Sequence, residues 1–187
     1  MVHPLIETAR TEYLTFYLSS LQQYRDTVSD LVPELLILLN GPPEWSEMHR
    51  LWRSDLIWKQ DGQPQPGKIE LNPPAPAPPQ SSTHSGISMT IDPFVWHWCQ
   101  FLTDVSPAGN ALNDWFHKWI DDAETMTPDD SGLTGVIHQM TPVDALPDAF
   151  MFSVDFGSAP IAAFSELLDV FSACGITQFR IGSPDHQ

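Results

Sequence analysis

Acids and aromatics are the chemistry-bearing residues this chain concentrates, and they meet between Trp115 and Asp130. Trp115, Phe116 and Trp119 precede Asp121, Asp122, Glu124, Asp129 and Asp130, with Lys118 alone in opposition. Aromatic side chains anchor interfaces and a dense acidic rim steers a cationic partner, so this segment is expected to bind a basic protein surface. Acids at a helix C-terminus oppose the macrodipole, so Asp121 and Asp122 carry a local cost. On this reading, neutralising the five acids leaves the fold intact and slows association. A solvated acidic loop behind a core-facing helix is the plainer alternative.

Groups capable of covalent or metal chemistry are present without the spacing such chemistry needs. The seven histidines, His3, His49, His84, His97, His117, His138 and His186, are scattered. His97 and Cys99 lie two apart on an expected helix and point to different faces, which is wrong for shared ligation. Neither Cys-x-x-Cys nor His-Glu-x-x-His occurs. Asp155-Phe156-Gly157 spells the metal-binding tripeptide of protein kinases, but the glycine-rich loop, strand lysine and catalytic loop that accompany it there are missing. The tripeptide reads instead as a strand end and a glycine turn, with Ser158 capping the next helix. Gly157-Ser158-Ala159-Pro160 is no nucleophile elbow, and no glycine-rich phosphate loop appears. No catalytic residue, metal or cofactor is expected, and the chain is not read as an enzyme.

Charge narrows the partners. Twenty-four acids against eight lysines and arginines give a formal charge of −16. From Asp104 onward there are thirteen acids and two bases, Lys118 and Arg180, a net of −11. Such a field repels phosphate and attracts cationic surfaces, so nucleic acid and anionic membrane are poor partners and a basic protein is a good one. Seven tryptophans and 11% aromatic residues argue for a folded chain, because disordered acidic segments are poor in aromatics. Cys99 and Cys174 are too few for a disulfide framework. Met1-Val2-His3-Pro4 does not open a signal peptide, and the longest apolar run, Leu35 to Leu39, is far short of the ~20 residues of a membrane span. The chain reads as cytoplasmic.

The elements that must position these residues divide the chain in three: a helical segment 1–59, a proline-rich linker or loop 60–85, and an α+β segment 86–187, within what is possibly one domain. Ile6, Ala9, Tyr13, Phe16, Tyr17, Ser20 and Tyr24 share one helical face, predicting a helix from Pro4 to Asp26. Ser29 or Asp30 is expected to cap a second, buried helix through Leu35–Leu39 that stops at Asn40-Gly41-Pro42-Pro43. Trp45, Met48 and Trp52 suggest a third, with Leu56-Ile57-Trp58 continuing it or forming a strand. Seven of the eighteen prolines fall between Gln60 and Ser85, a composition that favours extended or mobile chain, with Lys68-Ile69-Glu70-Leu71 as a candidate embedded strand. Beyond it, Ile87, Met89 and Ile91 alternate as a strand. Asp92-Pro93 is expected to open a helix through Phe94, Trp98, Phe101 and Leu102, and Ser106-Pro107 another carrying Leu112, Trp115 and Trp119. Leu133–Met140 and Ala149–Phe156 are strand candidates. A helix bearing Ile161, Phe164, Leu168 and Phe171, ended by Cys174-Gly175, precedes a last strand, Ile176–Ile181.

In its acidic, aromatic-rich, motif-free character, and in Phe152-Ser153-Val154-Asp155-Phe156-Gly157-Ser158-Ala159-Pro160 leading through a helix to a last strand, the chain resembles the immunity proteins of bacterial polymorphic and type VI secretion toxin systems. The resemblance implies stoichiometric inhibition: binding of a cognate toxin domain so that its active site or substrate groove is covered. Toxins that act on nucleic acid or nucleotides tend to present cationic grooves, which an acidic inhibitor complements. Two other classes stay open. A nucleic-acid mimic of the anti-restriction or anti-CRISPR kind would spread its acids regularly over one face. An enzyme with an unrecognised site would show a concave pocket with perturbed carboxylates or histidines.

Overall fold

A computed structural model describes residues 3–183. His186 and the first two residues lie outside the described residues. The fold is α+β, with helices and strands interspersed along the chain.

The first helix, α1 (Pro4–Arg25), matches its expected span. The His3 ring accepts from Leu5 N at 3.3 Å and Pro4 occupies the first turn, where a missing N–H costs nothing. Ile6, Tyr13, Tyr17 and Leu21 form its buried stripe, whereas Phe16 is exposed.

The next segment departs from expectation. In place of a helix through Leu35–Leu39 the chain forms β1 (Val32–Pro33) and β2 (Leu36–Leu38), separated by Glu34 in the left-handed region at φ 52°. A short apolar run carries no periodicity that tells helix from strand. Here pairing decides. A single helical turn, α2 (Glu47–Arg50), leads into β3 (Leu51–Arg53), which pairs antiparallel with β2, and β4 (Leu56–Gln60) pairs with β1. The leucine run is therefore largely exposed at Leu35, Leu38 and Leu39.

Residues 60–85 are more ordered than their prolines suggest. β5 (Gln63–Gly67) forms a hairpin with β4 around Asp61-Gly62, and it is the outer strand of its sheet, where Pro64 and Pro66 forfeit no ladder bond. β6 (Gln80–His84) pairs with β7 (Ile87–Ile91). Lys68–Leu71 makes no ladder, yet Ile69 is buried. Pro73–Ala77 runs opposite Gln100, Leu102 and Arg180 of the main sheet, across an open cavity of about 720 Å³.

Asp92-Pro93 opens a turn, in which Val95 bridges Trp98, and no helix; the chain enters β8 (Cys99–Thr103). Cys99, Phe101 and Thr103 are buried while Gln100 and Leu102 are half-buried, a period of two that outweighs the helical spacing of Phe94, Trp98 and Phe101. α3 (Asn110–Ile120) begins three residues after Pro107. Only β9 (Gln139–Met140) of the expected strand Leu133–Met140 is laddered, and β10 (Asp144–Ala145) precedes β11 (Phe150–Asp155). α4 (Ile161–Ala173) ends at Cys174, with Gly175 at φ 76° where other residues would be strained, and β12 (Gln178–Gly182) closes the fold. Its N-cap is Pro160; the Ser158 hydroxyl instead accepts from Gly135 N and Val136 N.

The main sheet runs β10-β11-β8-β12-β7-β6, with β9 also on β11; β12 and β7 are its parallel pair. Register sets Phe101 opposite both Phe152 and Ile181. Phe164 and Phe171 of α4 meet the Phe101 ring, and Phe171 also meets Phe152 and Phe179. Burying each such ring contributes about 1.5–3 kcal/mol. Both cysteines are free thiols, Cys99 buried. Among the described residues no helix is long and apolar enough to cross a membrane.

Candidate functional site

Where the small β1–β5 region meets the main sheet, the backbone is laced through one histidine. Arg53 N donates to the His138 carbonyl at 2.7 Å, and His138 N donates to the Asp155 carbonyl at 2.8 Å. Three short segments thereby converge: the β3–β4 connection bearing Asp55, the chain before β9 bearing His138, and the end of β11 bearing Asp155. The left-handed turn at Glu34 brings a fourth group inward.

The side chains complete a buried polar cluster. His138 Nδ1 donates to Asp55 Oδ1 at 2.7 Å and Nε2 donates to Glu34 Oε1 at 3.0 Å. Glu34 Oε2 accepts from Thr134 N and Oγ1 at 2.5 and 2.8 Å, and Asp55 Oδ2 accepts from Ile69 N at 2.5 Å. Asp155 Oδ1 accepts from Gly157 N at 2.9 Å. Gly157, at φ 45°, has no room for a side chain: a Cβ would stand 2.2 Å from His138 Cδ2.

Burial alone would push the His138 imidazole down, but its bonds to Asp55 and Glu34 outweigh burial and hold it well above its ordinary value. Burial would raise Glu34, and the His138 bond and charge hold it below the ordinary carboxylate range. For Asp155 burial prevails: with the Asp55 charge adding to it, it outweighs the His138 charge and the Gly157 bond and pushes the carboxyl up to about 7. A carboxyl that changes protonation near neutrality can hold or pass a proton.

Asp55, His138 and Asp155 line a cavity of about 440 Å³, whose other walls include Trp52, His97 and Trp98. His97 Nδ1 and Trp52 Nε1 are shielded from solvent and lack a hydrogen-bond partner among the described residues. Burial lowers the His97 imidazole, favouring its neutral form. The Tyr13 ring stacks on His97 with centroids 5.0 Å apart, and its hydroxyl is buried and also without a partner. A cavity of this size, with convergent polar groups and perturbed titrations, can seat a small ligand or an ion.

The residues expected to meet a partner fall into two groups. Trp115 (3% exposed), Trp119 (7%) and Asp121 (4%) are buried. Trp115 Nε1 donates to the Ala163 carbonyl at 2.9 Å and Trp119 Nε1 to Glu166 Oε2 at 2.9 Å, so both tryptophans fasten α3 to α4. They are core residues, because the apolar stripe of α3 faces α4 and leaves no ring for a partner. Asp121 takes the left-handed C-cap of α3. Its carboxylate accepts from Thr125 N, Thr125 Oγ1 and Met126 N at 2.8, 2.9 and 3.1 Å, and stands 3.6 Å from Arg53 Nη2. Arg53 is itself buried, donating to the carbonyls of Ile120, Glu34 and Asp121. Asp121 therefore holds the segment together from within. Asp122, Glu124, Asp129 and Asp130 are exposed; Asp122 bonds His117 at 2.8 Å and Asp129 ties the Ser131–Leu133 turn.

Sequence reasoning missed Glu34, Asp55, His97, His138 and Asp155 as a group. A usable mark was present. Glu34, His138 and Asp155 each interrupt an apolar stretch, between Pro33 and Leu35, Ile137 and Met140, and Val154 and Phe156. An ionisable residue inside such a stretch is buried with its neighbours and needs partners. No known family model matches the chain, and neither does any curated protein or solved structure.

Proposed function

We propose that this chain is a stoichiometric inhibitor of the immunity type, acting in the cytoplasm on a cationic toxin domain whose active site or substrate groove it covers. One observation carries the reading: apolar side chains lie exposed beside carboxylates. Leu38 is 67% exposed, and Leu35, Leu39 and Trp45 are each more than a third exposed. Among the described residues β2 is laddered to β3 alone. Exposed Glu44 and Glu47 flank Trp45, and Glu47 reaches the His117 ring at 2.8 Å, which in turn bonds Asp122. The segment bearing Trp45 and the acidic loop thus adjoin, offering an anchor and a steering rim for a basic surface. Co-expression with the product of each neighbouring reading frame, one of which this reading requires to be a toxin, tests it. Growth rescue and a co-purifying complex are expected, both weakened by Leu38→Ser with Leu39→Ser. Absence of a complex between two folded proteins contradicts it.

An enzymatic reading is favoured by a different observation, the cavity that holds Asp155 and His97. It predicts turnover of a small substrate that Asp155→Asn abolishes, which inhibition by surface coverage does not require. The nucleic-acid mimic has no comparable support, since Asp121 is buried and Asp122 is bonded to His117.

A further inference from the structure

Around His138 three carboxyl groups crowd one imidazole, two of them bonded to it. Glu34 and Asp55 each take one ring nitrogen, and Asp155 stands close by with a single bond, from Gly157 N, among the described residues. Arg53 adds positive charge on the Glu34 side, but its donors are taken by three carbonyls and it pairs with Asp121, so it bonds none of the three carboxyl groups. Lys68, at the cavity wall, pairs with Glu70 at 3.7 Å. Buried carboxylates in excess of their cations are costly.

One ligand atom from each of Asp55, His138 and Asp155 lies within 4.8 Å of the others. Zinc bound about 2 Å from nitrogen and oxygen ligands needs them roughly 3.4 Å apart, so side-chain movements of about an ångström suffice. The set is of the right kind: one imidazole with two carboxylates suits a borderline divalent ion. Glu34 stands where such a site needs it. Its bond from Nε2–H leaves Nδ1 as the ligand atom and fixes the ring from behind, the carboxylate–histidine–metal arrangement. Asp55, His138 and Asp155 all line the cavity, and His97 is among its other lining residues.

We propose that Asp55, His138 and Asp155 bind one zinc ion at the wall of this cavity, with Glu34 orienting His138 and the remaining coordination position open to the cavity. Binding displaces to solvent the Nδ1 proton of His138 and the proton Asp155 carries when it is neutral, while Nε2 keeps its own. The site is independent of the inhibitor reading, and either can hold without the other.

The test uses the full, tag-free chain, stripped with chelator and titrated with zinc chloride in a calorimeter, with bound metal counted after dialysis. One equivalent is expected. Glu34→Gln should weaken binding about 10- to 100-fold and Asp155→Asn at least as much. Asp144→Asn, at an exposed acid, should leave it unchanged. Cobalt in place of zinc should give the absorption of a low-coordinate nitrogen–oxygen site, lost in Asp155→Asn. Because His138 variants remove a structural hub, the near-isosteric Asp155→Asn is the deciding variant, its fold checked by circular dichroism. No saturable binding by the folded wild type overturns the proposal. So does zinc binding that a folded Asp155→Asn leaves undiminished, which marks an adventitious surface site.

Discussion

Asp121→Asn should destabilise the fold by about 3 kcal/mol, whereas Asp122→Asn, its exposed neighbour, should change it by less than about 0.5 kcal/mol. Asp121 Oδ1 accepts twice from Thr125, and an asparagine carbonyl can keep both bonds. Oδ2 accepts from Met126 N at 3.1 Å, where the amide nitrogen would set donor against donor. A buried donor left without an acceptor costs about 1–3 kcal/mol. The substitution also removes the carboxylate 3.6 Å from the buried Arg53. Removing one partner of a buried pair costs about 3–5 kcal/mol. That figure is discounted here, because Arg53 keeps its three carbonyl acceptors. Asparagine tolerates the left-handed backbone at φ 52° as aspartate does, so the comparison isolates the side chain. At this chain length a loss of about 3 kcal/mol lowers the melting temperature by about 6–12 °C. Urea and thermal unfolding of both variants measure it. An Asp121→Asn protein that melts with the wild type would refute the reasoning and return Asp121 to the solvated rim.

Stability should fall on both sides of neutrality for separate reasons. Glu34 is held below the ordinary carboxylate range, so its contribution is present above that range and lost as acid protonates it. His138 is held above its ordinary value, so its contribution is complete below that value and lost as rising pH passes the raised one. Denaturant unfolding across pH checks both limbs, and His138→Gln should flatten the alkaline one. Gly157→Ala should cost about 3 kcal/mol, from the left-handed backbone and the clash with the His138 ring, measured by urea unfolding. Replacing residues 73–79 with glycine and serine should leave the melting temperature within a few degrees, while replacing 63–80 should lower it clearly, because the longer cut removes β5 and the buried Ile69.

Legibility followed local information. α1 and α4 were readable because each carries one apolar stripe and a clear stop, although the start of α4 was misplaced at Ser158, and β7 and β11 because apolar residues alternate along the first and crowd the second. The Leu35–Leu39 and Phe94–Leu102 stretches were misread because short, aromatic or leucine-rich runs fit either period, and the deciding partners, β3 for one and β11 and β12 for the other, lie elsewhere in the chain. The acidic loop was visible as composition, yet composition does not separate Asp121 from Asp122; a distant buried arginine does. The polar cluster was harder still. Its members are separated by up to 121 residues, and only the convergence of three backbone segments on His138, with the turn at Glu34 as a fourth, makes them neighbours.

The proposed reading, an acidic inhibitor steered onto a cationic toxin, is tested most directly by the association rate constant with the partner that co-expression identifies, followed as ionic strength rises. Exposed carboxylates are screened beyond about 8 Å at physiological salt, so the rate should fall steeply, and less steeply once Asp122, Glu124 and Asp130 are neutralised. A rate indifferent to both salt and those substitutions would contradict it.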